Sequence, residues 1–306
     1  MKNYIFRKEF KKYRHLNIPV NDFVIGFARK ILKPFYKKQR SCKSLDVKKT
    51  DIVSRDGYKI KTIIYSSREA REDCPCILFI HGGGFVYPAA PHHYNMARNL
   101  TISLKCKTIM IDYRLAPEFK FPYAVYDSFD SYKWILENAN MLNINKEKII
   151  VMGDSAGGNL STVICLMCKE NNIQMPLCQL LLYPATDFSM ELESMKKYND
   201  VPFITSKDCE IFNDLYMNKN SNEKEEYLYP VKAKNLSNLP PAYIEVAQYD
   251  CLHDGGVNYA ELLKESNVHV QLEETEGTMH GYDFIEKSPF VKQCNKKRIK
   301  FIKQFI

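Results

Sequence analysis

The stretch "VMGDSAGGNL", residues 151–160, holds Ser155 between Gly153 and Gly157 in a G-x-S-x-G pattern. A serine hydroxyl by itself is a weak nucleophile. It becomes a strong one when a base takes its proton, a third group orients that base, and N–H donors await the oxyanion. "ILFIHGGGFVY" supplies candidate donors, with His81-Gly82-Gly83-Gly84 directly after an apolar run. Consecutive glycines let the backbone bend so that bare N–H groups face inward with no Cβ in the way. A phosphate-binding loop would need Gly-Lys-Ser/Thr to follow, and it does not.

The base candidate is His280 in "EGTMHGYDF". The other histidines fit less well. His15 lies in a basic segment, His92 and His93 read as a polar loop, His269 falls within a strand, His253 sits beside the acid candidate, and His81 reads as a brace for the glycine loop. For the orienting acid, "AYIEVAQYDCLHDGG" offers Asp250 just past a strand-like run and Asp254 a turn later. Asp254 reads better as the N-cap of the next helix. Asp283, close after His280, is the weaker rival.

These residues need elements that deliver them to one place. "KIIVM" before Ser155 is a β-branched run, and "NLSTVICLMCKEN" after it repeats at helical spacing. A strand turning sharply into a helix pushes the serine out above a sheet, and the helix N-terminus favours negative charge there. Further apolar runs at 76–80, 107–111, 178–184, 242–247 and 268–274 alternate with helical patterns at 124–139 and 256–266, and a last helix closes the chain. Alternation of this kind predicts an α/β fold with a mostly parallel, doubly wound sheet whose site lies at the carboxyl ends of the strands. Asp56-Gly57 between two β-rich runs predicts a hairpin.

Residues 4–40 read as two amphipathic helices, and 188–228 as a helical, polar interruption too long for a plain connection. The expected organisation is an N-terminal part of a cap at 1–45, a core at 46–187 and 229–306, and a cap insertion at 188–228.

The chain has 306 residues and is 45% hydrophobic, enough for a large core. Its net charge is +8, concentrated in "RKEFKKYRH", "KPFYKKQRSCK" and "KQCNKKRIKFIKQ". Such lysines are most often solvated helix faces, and no nucleic-acid-binding motif accompanies them. Segment 4–16 sets Lys8, Lys11, Lys12 and Arg14 opposite Ile5, Phe6 and Phe10, a pattern that suits either an anionic bilayer or a cap over the active site; the cap is preferred. The ten cysteines are scattered, and Cys165-x-x-Cys168 lacks a second ligand pair at zinc spacing. This usage fits a reducing cytoplasm. No signal peptide or membrane-spanning run is evident.

Taken together, "HGGGF", "GDSAGGNL", "DYRLAPEFKFPYAVYD", "QYDCLHDGGVNYAELL" and "MHGYDF" resemble the hormone-sensitive-lipase-like family of α/β-hydrolase esterases, over residues 50–290. The resemblance implies Ser155 as nucleophile, Asp250 as acid and His280 as base. It gives Gly83, Gly84 and Ala156 as oxyanion donors, with Gly82 shaping the same hole. Asp112, Arg114 and Glu118 would hold the loop beside the site. Cys251 and His253 depart from the family's usual Pro and Arg. The activity implied is a cytoplasmic serine carboxylesterase. An amidase or deacetylase of a small metabolite, and a non-catalytic receptor on the same fold, are the alternatives. No metal or organic cofactor is implied. The expected partners are a small-molecule ester and at most a second copy in a homodimer, with no nucleic acid and no integral membrane segment. Phe85, Val86 and Tyr87 are expected to wall the acyl site, with Phe203, Ile204, Phe212 and Tyr216 above it, which suits acyl chains of about two to six carbons.

Overall fold

The computed structural model describes residues 4–306; positions 1–3 of the expected cap segment lie outside it. Eight strands form one sheet in the order β1-β2-β4-β3-β5-β6-β7-β8. The expected hairpin is β1 (Leu45–Val53) against β2 (Lys59–Ser67), and β2 pairs antiparallel with β4 (Lys107–Asp112). From β4 onward every pairing is parallel, through β3 (Cys74–Ile80), β5 (Ile144–Asp154), β6 (Gln179–Leu182), β7 (Ala242–Tyr249) and β8 (Val270–Met279). The central strands are apolar on both faces because helices cover both.

Those helices are α2 (Pro91–Leu104), α3 (Tyr123–Glu137), α4 (Ala156–Glu170), α7 (His253–Glu265) and α8 (Pro289–Ile302). Helix α4 is buried from Ala156 through Cys168, so apolar side chains surround it. Each of Leu160, Val163, Ile164 and Met167 contributes about 1.5–3 kcal/mol by burial. Helix α8 is anchored by Arg298, fully buried and ion-paired to Glu245 of β7 and to Asp283 after β8.

The N-terminal region departs from expectation. Only Lys11–Tyr13 makes a helical turn within 4–16, and helix α1 spans Asp22–Lys38. Phe6 and Phe10 are buried, but against Tyr249, Tyr282 and Phe290 rather than over the site. Helix α2 was also unforeseen, since His92 and His93 read as loop. Pro91 at its first position and the buried Tyr94, Ala97, Leu100 and Leu104 at helical spacing are the signals for it. Within 188–228 lie α5 (Glu193–Lys197), α6 (Ser206–Tyr216) and a 3-10 turn at Glu225–Tyr227. This stretch meets the N-terminal region where Phe203 N donates to Leu16 O and Asn17 bridges Phe203.

Candidate active site

The turn from β5 into α4 sets Ser155 at φ 51, ψ −118, outside the regions that side-chain-bearing residues favour. Its neighbours explain the glycines. A Cβ on Gly157 would lie 2.0 Å from the Ile80 carbonyl oxygen, and one on Gly153 would lie 2.2 Å from the Gly157 oxygen. Only a bare backbone lets β3, β5 and α4 approach this closely. Three more non-glycine residues around the site have positive φ: Phe85 (60), Tyr183 (37) and Phe203 (78).

Ser155 Oγ lies 3.0 Å from His280 Nε2, and His280 Nδ1 lies 2.7 Å from Asp250 Oδ2. The other Asp250 oxygen accepts from Leu252 N at 2.9 Å. All three side chains are buried. Burial is the largest influence on the His280 imidazole and pulls its pKa down. The charge and hydrogen bond of Asp250, aided by Asp154 and Asp283, outweigh it, so the pKa stands above the usual histidine value. With Nδ1–H donating to Asp250, Nε2 is left to accept the serine proton.

The rival acids have other work. Asp283 Oδ1 accepts from the Tyr183 hydroxyl at 2.6 Å, and its other oxygen pairs with Arg298 at 3.0 Å. Asp254 is not the N-cap, which is Leu252; it sits in the first turn of α7 and accepts from Ser194 N at 2.8 Å and from His253 Nδ1 at 2.9 Å.

At the glycine loop, the N–H groups of Gly83, Gly84 and Ala156 have no acceptor among the described residues. Gly82, grouped with the hole as the residue that shapes it, stands apart from these three and has no free N–H to offer. Its N–H donates to Asp154 Oδ1 at 3.0 Å, and a Cβ there would lie 2.3 Å from Asp154 Oδ2. Asp154 also accepts from His93 Nε2 at 3.0 Å. Burial would raise the Asp154 pKa, but His93, His92 and the Gly82 N–H hold it below the ordinary carboxylate range. His81 braces the loop as expected: its ring stacks on Tyr113 at 4.5 Å and its Nδ1 lies 2.7 Å from Gly82 O.

His92, His93 and Asp154 bring potential metal-ligating atoms within 4.8 Å of one another. His93 and Asp154 are joined by a hydrogen bond, while the His92 ring packs on that of His93. His93 Nδ1 accepts from Ala90 N at 2.9 Å, which leaves the ring proton on Nε2, the atom a cation would need. Sequence reasoning missed both His93 and Asp154. Asp154 was in view beside the serine, and its partner lies 61 residues away.

Two cavities meet at Ser155. The smaller, ≈ 30 Å³, is walled by Gly84, Phe85, Ala156, Phe188, Phe212 and Leu252. The larger, ≈ 230 Å³, includes His280, Tyr183, Tyr87, Phe203, Phe212 and, from the N-terminal region, Val20, Ala28 and Leu32. Ile204 borders both. Val86, expected as a wall, borders neither; it is a core residue whose carbonyl accepts from Arg29 Nε at 3.0 Å. Tyr216 also borders neither and instead stacks on Phe85 at 3.9 Å. Arg114 holds its loop through a buried pair with Asp127, and Glu118 through Arg29.

An eight-stranded, mostly parallel sheet with a strand–turn–helix serine at the carboxyl end of β5 defines an α/β-hydrolase. A family model described as alpha/beta hydrolase fold matches residues 77–284. The esterase LipI of Mycobacterium tuberculosis is 34% identical over 211 residues, 69% of this chain and 66% of LipI. The ethyl acetate hydrolase of Pseudomonas putida is 30% identical over 249 residues, 80% of this chain and 77% of that protein. Among solved structures, the hyperthermophilic esterase of the archaeon Pyrobaculum calidifontis superimposes with a TM-score of 0.82 at 30% identity, covering 94% of this chain and 98% of that one. The chain belongs to the hormone-sensitive-lipase-like family of α/β-hydrolases. It is a carboxylic-ester hydrolase.

Proposed function

We propose that the chain hydrolyses short-chain acyl esters through an acyl-enzyme on Ser155. The observation that carries this reading is the unbroken chain from Ser155 Oγ through His280 to Asp250, at 3.0 and 2.7 Å. Ser155 attacks the ester carbonyl as His280 Nε2 takes its proton. Asp250 holds the imidazole in the required tautomer and stabilises the imidazolium that forms. The N–H groups of Gly83, Gly84 and Ala156 receive the alkoxide; each such donor is worth about 3 kcal/mol of barrier. His280 then protonates the leaving alcohol, and water, activated by the same imidazole, releases the acid.

The cavities support a division of the substrate. His280 borders the larger cavity and not the smaller, so the departing alcohol belongs on the larger side. The acyl group then faces a space of ≈ 30 Å³, room for about two water-sized groups. That favours acyl chains of a few carbons. In this reading residues 188–228 and the N-terminal region to 45 act as the cap, and the rest as the core. Cytoplasmic residence is part of the reading, supported by ten free cysteines, of which only Cys42 is exposed.

The test is Ser155→Ala together with an organophosphate probe. Turnover of p-nitrophenyl acetate should vanish in the variant while its circular dichroism is unchanged, and the probe should label the parent chain at Ser155 alone. More than a few per cent residual turnover would remove Ser155 from the role.

A further inference from the structure

Helix α1 has two apolar faces. Val20, just before it, and Ala28 and Leu32 within it border the larger cavity above Ser155. On a separate, solvent-facing side Phe23, Phe27 and Ile31 recur at every fourth position, one stripe along the helix. They are among the most exposed large apolar side chains of the described residues, at 82%, 58% and 48%. The Phe23 and Phe27 rings stack on each other at 6.5 Å. Scattered apolar residues on a surface are ordinary, but an aromatic stripe on one helix is a contiguous patch.

The charges beside the stripe are of one sign. Lys30, Lys33, Lys37 and Lys38 are exposed on the same helix, and Asp22 at its start is its one acidic residue. Among the described residues Lys30, Lys33 and Lys37 form no ion pair. Lys49 Nζ reaches the Lys37 carbonyl at 2.8 Å, and Arg40 follows the helix, so the basic strip continues past its C-terminal end. An apolar ridge flanked by lysines complements an anionic bilayer surface: rings enter the acyl boundary and ammonium groups meet the headgroups. A second copy of the chain is a poorer occupant, because a symmetric pairing through this stripe would bring two sets of lysines together.

We propose that the outer face of α1 docks the enzyme on anionic membrane surfaces, with Phe23 and Phe27 inserted and Lys30, Lys33 and Lys37 over the headgroups. The inner face of the same helix borders the alcohol-side cavity, so the docked helix lies between that cavity and the bilayer.

Flotation of the full chain with phosphatidylcholine vesicles, with and without added phosphatidylserine, tests this. The chain should float with the anionic vesicles, sink with the neutral ones, and be released by high salt. Phe23→Ser/Phe27→Ser and Lys30→Gln/Lys33→Gln/Lys37→Gln should each weaken anionic binding, the triple lysine change by about a hundredfold. Both should keep the parent rate on p-nitrophenyl acetate in solution, since none of these side chains borders either cavity. Flotation does not depend on catalysis and should be the same for Ser155→Ala, which separates this proposal from the esterase reading. Failure to float, equal flotation by the variants, or an α1-dependent dimer without vesicle binding would each overturn it.

Discussion

The Tyr183 hydroxyl donates to Asp283 at 2.6 Å, while the Tyr183 ring packs edge-on against His280 at 4.9 Å. This one side chain keeps the nearer-in-sequence carboxylate away from the imidazole and supports the ring that Asp250 orients. Arg298 completes the arrangement by pairing with Asp283 in full burial. The consequence is a clear ranking of three aspartates.

Asp250→Asn should lower kcat on short esters by about four orders of magnitude, as loss of the orienting carboxylate does in comparable triads. Asp283→Asn should cost far less in kcat but destabilise the fold, because Arg298 is left short of a buried partner. Asp254→Asn should change little. Steady-state kinetics and urea unfolding of the three variants check the order; equal kinetic losses at Asp250 and Asp283 would undo the assignment.

The raised pKa of His280 fixes the acid limb of the pH profile. In the proposed mechanism the neutral imidazole is the base, so a pKa above the ordinary value keeps it protonated, and inactive, to higher pH. kcat/KM should therefore rise with pH through an apparent pKa above about 6.5. In Asp250→Asn the residual activity should show that limb at lower pH, since the leading favourable charge is gone. A parent limb below the ordinary value would contradict the environment described.

Phe212 borders both cavities and lies over Gly84, where an added Cβ would come within 2.6 Å of its ring. Phe212→Ala should join the two spaces and shift the best acyl length upward, each newly accommodated methylene adding about 0.8 kcal/mol. A kcat/KM series from p-nitrophenyl acetate to palmitate reads this. The parent should peak at short chains; a parent maximum at long chains would mean the small cavity does not hold the acyl group.

Gly157→Ala should damage both fold and activity. Its Cβ would meet the Ile80 carbonyl at 2.0 Å, and neither backbone can move without displacing Ser155 or β3. Overpacking of this kind costs about 1–3 kcal/mol. Denaturant unfolding should show a lower midpoint at constant slope, with turnover falling even where the variant remains folded. Unchanged turnover would mean that the turn is looser than the geometry implies.

What the sequence determined by itself was the local chemistry. A β-branched run, two glycines around Ser155 and a helical pattern point to a sharp strand–helix turn, and three glycines after β3 point to an open backbone. The alternation of strand and helix then gave the sheet and the end of it where the site must lie. These are signals carried by contiguous residues, and short-range sterics decide them. What tertiary structure decided were pairings between distant residues. Asp250 was preferred from its place after β7, but its exclusive claim on His280 follows from Tyr183 and Arg298 occupying Asp283. His93 entered the site only because α2 folds against the loop that Asp154 holds, and that contact also separated Gly82 from the oxyanion donors. The apolar faces of the N-terminal region show the same limit. Periodicity put Phe6 and Phe10 on one helical face and Phe23 and Phe27 on another; only the second pair lies on a helix, and burial is a property of what packs opposite. The first pair found Tyr249, Tyr282 and Phe290, and the second was left facing solvent.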